Sequence, residues 1–223
     1  MPGMWHRGVA GLTLALALVT SGGATGCSRA PGAAPAAASH APGPDGISVV
    51  RAPSGVHVVV NHHPVHMTLE LDGTEIGVSE DDPAIWLVDG QIIQVAVVPR
   101  QAIYGATAVA RVSDEQLLHD HLAWESDYVA SELGTSVQAR ERECRTARGT
   151  HCLVSDYDIA QARRNLLITT VVNDQVVALA SSVPASRDPA EAEARLRAVL
   201  ETIMPHDGWI DPAAEAARLH LVP

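Results

Sequence analysis

Four histidines, His57, His62, His63 and His66, fall within ten residues. Imidazole is the commonest protein ligand for zinc, copper and nickel. Their spacing matches no zinc motif. If the segment is extended, the adjacent His62 and His63 face opposite ways. His57 and His66 then lie on separate strands and meet only in a favourable register. At most two rings are expected to converge, so a polar turn is the preferred reading and a metal site the competing one. A second constellation lies in the stretch from Ser113 to Leu133, where His121, Glu125 and Glu132 interrupt an apolar arc. Leu117, Trp124 and Tyr128 form one edge of that arc and Leu118, Leu122, Val129 and Leu133 the other. His121 and Glu125, four residues apart, can pair or can line a groove with Trp124 and Tyr128. The preferred reading is two narrow contact surfaces with a solvated seam between them. A third constellation is the pair Cys144 and Cys152, which flanks a polar loop centred on Arg148. Equal counting outward from Arg148 sets the two opposite each other, which predicts a structural disulfide.

Other chemistries lack their signatures. The chain has no Gly-x-Ser-x-Gly elbow and no Gly-rich phosphate loop in its folded part. Glu80-Asp81-Asp82 has neither the alternation nor the glycine of a calcium loop and reads as a solvated turn. No catalytic residue is assigned and no cofactor is expected. A hydrolase without a recognisable motif is the weakest of the functional alternatives.

Periodicity supplies the elements that must position these residues. Val56–Val60 and Val65–Leu71 read as strands around an Asn61-His62-His63-Pro64 turn. Glu75–Val78, Ala84–Val88 and Gln91–Val98 follow, with Asp89-Gly90 as a hairpin signal. Ser113-x-x-Gln116 is a capping box that opens a helix ending at Gly134. The cysteines join strands over Ser136–Glu143 and Cys152–Tyr157, and Asn173-Asp174 joins Leu166–Val172 to Val176–Val183. Asp188-Pro189 starts a second main helix with Ala192, Leu196, Val199, Leu200 and Ile203 as its apolar stripe, and Pro205 ends it. Asp211-Pro212 marks a short C-terminal helix. Hairpins and helices without strand-helix-strand alternation predict the α+β class: an antiparallel sheet built from hairpins and packed with two main helices.

The N-terminus reads as an export signal. Arg7 precedes an apolar run from Val9 to Val19, too short to span a bilayer, and small residues then lead to Cys27. The box Ala24-Thr25-Gly26-Cys27 resembles the processing site of bacterial lipoprotein precursors, which implies cleavage before Cys27 and acylation of its sulfur. An ordinary secretory signal cut near Ala36, Ala37 or Ala38 is the alternative and would release a soluble protein. Residues 1–26 are thus read as signal peptide, 27–46 as a Pro/Ala/Gly tether and 47–223 as one α+β domain. Removing residues before Cys27 takes away one Arg and no acid, leaving 14 basic against 26 acidic side chains, a net of −12 with His neutral. That surface repels phosphate backbones, so nucleic acid is not an expected partner. The chain has no Phe and no Lys, which we attribute to biased codon usage.

The order helix, hairpin, hairpin, helix from Ser113 to Met204 resembles the PsbP-like family, the group around the photosystem II extrinsic protein and related secreted bacterial lipoproteins. Leu166-Leu167-Ile168-Thr169-Thr170 and Val176-Val177-Ala178-Leu179-Ala180, followed by an Ala/Glu/Leu-rich helix, carry it. The resemblance implies a non-enzymatic accessory role. The expected protein is therefore an exported accessory or binding protein, lipid-anchored at the cell membrane or outer membrane. Its expected partner is an envelope protein or a small ligand. A metal-binding protein using the hairpin histidines is the competing class.

Overall fold

The computed structural model describes residues 46–52, 55–105, 112–134, 136–159 and 163–220. The segment read as signal, Cys27 and the segment read as tether up to residue 45 lie outside the described residues. The chain opens with strands β1 (Gly46–Ala52), β2 (Gly55–His62), β3 (Val65–Asp72), β4 (Ile76–Val78), β5 (Ile85–Val88) and β6 (Gln91–Val98). A short helix α1 (Arg100–Tyr104) and a long helix α2 (Asp114–Leu133) follow. Then come β7 (Arg140–Arg145), β8 (His151–Ile159), β9 (Arg163–Val172), β10 (Gln175–Pro184), α3 (Pro189–Thr202), β11 (Met204–His206) and α4 (Pro212–His220). The fold is α+β, with antiparallel pairing throughout the described strands.

The local signals act as their chemistry requires. Asp89 and Gly90 take φ of 47° and 77°, and Asn173 and Asp174 take 50° and 61°, the left-handed conformations that match a two-residue turn to strand twist. Ser113 Oγ accepts from the Gln116 backbone N–H at 3.2 Å, and Gly134 ends α2 in the left-handed region. Asp188 caps α3 by accepting from Ala190 N–H at 2.9 Å. Asp89 binds α3 to the first hairpin series. Its Oδ2 accepts from Arg195 at 2.9 Å, and its Oδ1 takes the backbone N–H groups of Thr74 and Glu75. Those donors hold its carboxyl far below the usual carboxylate range.

The hairpins form two sheets, not the single sheet expected. The four-stranded sheet runs β1-β2-β3-β11 and the seven-stranded sheet β4-β5-β6-β10-β9-β8-β7. Hairpin patterning states which strands are sequence neighbours. It does not state that Val98 pairs with Val176 and so joins β6 to β10. β1 and β11 were not expected. β1 continues directly from the Ala/Pro-rich tether, and Gly46 already pairs with Asn61. β11 is three residues long with Pro205 at its centre, a residue tolerated only on an edge strand. The first turn shrinks to His63-Pro64, since Asn61 and His62 belong to β2. The strand before the cysteine loop starts at Arg140, not Ser136.

The core lies between the sheets and under α3. Val58, Val60, Met67, Leu69 and Leu71 meet Trp86, Ile93, Val154, Ile168, Val177 and Leu179, and α3 adds Ala192, Leu196, Val199 and Leu200. Because strand side chains alternate, the opposite face of β8, β9 and β10 is turned to α2.

Candidate functional site

The site is built on α2 and the sheet face beneath it. Leu117, Leu118, His121, Leu122, Glu125 and Val129 are the buried residues of the helix whose positions the sequence singled out. His121 is 1% exposed and Glu125 2%. The solvated seam expected between two contact surfaces is therefore corrected. At these two positions it is the floor of the helix–sheet contact, while Glu132 is exposed. Of the expected arc, Leu117, Leu118, Leu122 and Val129 are buried with this pair, while Trp124 and Tyr128 are only half-buried.

The sheet explains this placement. Tyr157 packs with Val129 and Ile159 and pairs in register with Asn165. The next pairs on that face are Ser155 with Leu167 and Leu153 with Thr169, and Leu167 and Thr169 lie beside Ala180 and Ala178. This face mixes small and polar residues with Leu153 and Leu167, so it is less uniformly apolar where it receives an imidazole and a carboxyl. Asn165 Nδ2 donates to Tyr157 Oη at 2.6 Å. Among the described residues neither nitrogen of His121 has a hydrogen-bond partner, so His121 and Glu125 make no hydrogen bond with each other. The i, i+4 pair is thus buried on one helix face without the hydrogen bond that was one of the alternatives for it.

Burial sets the protonation states. Desolvation pushes His121 down to about 4 and Glu125 up to about 7. Tyr157 is raised first by burial and then by the nearby Glu125 charge, against the bond from Asn165. Near neutrality the imidazole is uncharged, and the carboxyl titrates in the neutral range. Above the pair the rings form a ladder. His121 and Trp124 centroids lie 5.9 Å apart, and Trp124 and Tyr128 stack at 6.2 Å with 12° between their planes. The rim at the helix N-terminal end is polar. Tyr104 Oη donates to Asp120 Oδ2 at 2.6 Å, and Gln116 Nε2 donates to Asp120 Oδ1 at 2.7 Å. Burial, then Asp120, pushes the Tyr104 hydroxyl up to about 12. The arrangement keeps an uncharged imidazole and a carboxyl of raised pKa in a dry setting, with the half-buried rings of Trp124 and Tyr128 beside it.

The hairpin histidines are distributed over the four-stranded sheet. His63 and His66 come together, with ring centroids 6.3 Å apart, and His66 Nδ1 lies 3.0 Å from Asn61 Oδ1. His57 pairs in register with Glu70, four strand positions from His66 and so roughly 13 Å away. It is buried against α4, with Nε2 2.9 Å from Glu215 Oε1, an ion-pair distance outside hydrogen-bond geometry. Glu215 in turn holds Arg218. Among the described residues the four do not gather into a three-ligand group.

Cys144 and Cys152 stand directly opposite in the β7–β8 ladder, Cα atoms 4.8 Å apart, and form a disulfide. Tyr157 and Asn165 are members of the site that sequence reasoning missed. The available signal was the alternation Leu153, Ser155, Tyr157, which opposes the apolar face of Cys152 and Val154.

No protein-family model and no curated protein matches the chain. Among solved structures it is similar to the solution structure of cyanobacterial PsbP from Synechocystis sp. PCC 6803. The identity is 9%, the match covers 75% of this chain and 96% of that one, and the TM-score is 0.36. At that score the likeness carries no weight for function.

Proposed function

We propose that the protein is an exported, lipid-anchored accessory or binding protein of the cell envelope, which engages an envelope protein or a small ligand through the α2 face. The supporting observation is the Cys144–Cys152 disulfide: it belongs in an oxidising compartment, and it lies downstream of an N-terminus patterned for export. The binding surface is read from Trp124 and Tyr128, half-exposed aromatics above a buried polar pair, since Trp and Tyr are the residues that most often anchor interfaces. Acylated Cys27 anchors the chain, because several acyl chains hold a membrane where one does not. In detergent partitioning the mature protein enters the detergent phase, and Cys27→Ser moves it to the aqueous phase or leaves it unprocessed. Wild-type protein that is wholly soluble, with an N-terminus beyond Cys27, contradicts the proposal.

A second reading rests on the oppositely shifted His121 and Glu125, a pattern shared with acid–base sites: a hydrolase in which Glu125 accepts a proton. A hydrolytic activity abolished by Glu125→Gln with the fold intact would favour it over the binding reading.

A further inference from the structure

Strand β7 reads Arg-Glu-Arg-Glu-Cys-Arg, and alternation sorts its charges onto two faces. On the α3 side, Arg140 pairs with Asp156 and Asp158, and Arg142 pairs with Glu193 at 2.6 Å. On the α2 side stand Glu141 and Glu143. Among the described residues no arginine pairs with either; Arg145 donates instead to the carbonyl of Gly149 at 3.3 Å. α2 brings Glu115 and His119 to the same place, four residues apart and so on one helix face. Glu115, His119 and Glu143 each offer a donor atom, and the three atoms lie within 4.8 Å of one another. His119 Nδ1 lies 3.3 Å from Glu141 Oε2. An imidazole that donates from Nδ1 to a carboxylate keeps its lone pair on Nε2, the arrangement that prepares a histidine for a metal.

We propose that Glu115, His119 and Glu143 form a site for a divalent metal ion of the zinc class, with Glu141 as the positioning residue for His119. Three carboxylates surround His119, a second imidazole at His151 places its Nε2 3.8 Å from Glu143, and among the described residues no arginine pairs with Glu141 or Glu143; a dication neutralises the negative charge that remains. The imidazole favours zinc, nickel or cobalt over magnesium or calcium, and three protein donors leave positions open to water or a ligand. The site is separate from the hairpin histidines and does not depend on the binding role proposed for the α2 face.

The test uses the full chain, free of any affinity tag and stripped with chelator, titrated with Zn2+ by calorimetry. One ion per chain is expected, bound at micromolar concentration or tighter, in wild type and in His66→Ala. His119→Ala and Glu143→Gln are each expected to weaken it by about tenfold or more. Both side chains are at least one-third exposed, so the melting temperature in chelator should stay at the wild-type value in both variants. Cobalt substitution should give visible absorption bands that disappear in His119→Ala. Absence of zinc binding, binding unchanged in both variants, loss in His66→Ala instead, or displacement by excess Mg2+ would each overturn the assignment.

Discussion

The two faces of the seven-stranded sheet are built from the same strands and differ in what they bury. Toward α3 the sheet presents Val154, Ile168, Val177 and Leu179, and the helix answers with Ala192, Leu196, Val199 and Leu200. Toward α2 it presents Ser155, Tyr157, Asn165, Thr169, Ala178 and Ala180 together with Leu153 and Leu167, and the helix answers with His121 and Glu125 among its leucines. The first face gains free energy with each apolar group removed from water, at about 25 cal/mol per Å². The second buries an imidazole with no hydrogen-bond partner among the described residues, which costs about 1–3 kcal/mol against an apolar replacement. A surface that gives up stability in this way is where binding or proton chemistry belongs, and the aromatic ladder lies above it.

The difference should appear first as opposite signs on substitution. Leu196 is fully buried on the α3 face. Leu196→Ala should destabilise the domain by about 2–5 kcal/mol in denaturant titration, through lost transfer energy and the cavity left behind. The bridge lies on the same face, since Cys144 and Cys152 are part of that core. Cys152→Ser should lower stability by about 2–3 kcal/mol, the loop-closure term for a short loop, while leaving a folded domain. On the α2 face the sign reverses. His121→Leu should raise stability by about 1–3 kcal/mol at neutral pH, because it removes a buried group whose polarity is unmet. A large loss in that variant would mean that the two faces do not differ as described.

The pH dependence separates the two buried groups. His121 has a folded value near 4, below its ordinary 6.5, so its neutral form is the stabilised one. Its contribution is present above pH 6.5 and is lost as pH falls toward 4. Glu125 has a folded value near 7, above its ordinary 4.5. Its contribution is present below pH 4.5 and is lost as pH rises toward 7. Between pH 4.5 and 6.5 the two slopes oppose, each approaching about 1.4 kcal/mol per pH unit for one full proton. In that window Glu125→Gln should make stability rise more steeply with pH than in wild type, and His121→Leu should make it fall. Identical profiles in the two variants would place neither group in the environment seen here.

What the sequence could and could not convey follows the same division. The turns at Asp89-Gly90 and Asn173-Asp174, the ends of α2, the α3 stripe and the cysteine register are local, and each was legible from a few residues. The split into two sheets was not, because it depends on β6 meeting β10 across most of the chain. β1 and β11 were hidden by neighbours that resemble a tether and a helix stop. The burial of His121 and Glu125 was not legible either. Periodicity places residues on one helical face, but how deeply that face is covered depends on the small and polar side chains of a sheet formed later in the chain. The hairpin histidines show the converse. Their clustering in sequence is conspicuous, yet register sends His57 to Glu70 and α4, away from His63 and His66, whose rings come together.

The most direct test of the α2 face as the working face is site-specific photo-crosslinking in the cell that produces the protein. A photoreactive residue replaces Trp124 in one variant and Ala198 in another; Ala198 is exposed on α3, over the apolar face. Trp124-positioned probes should yield a small set of discrete adducts with envelope components, retained on membranes and reduced by Cys27→Ser, while Ala198-positioned probes yield none above background. Equal adducts from both positions, or adducts from Ala198 alone, would contradict the assignment of function to the α2 face.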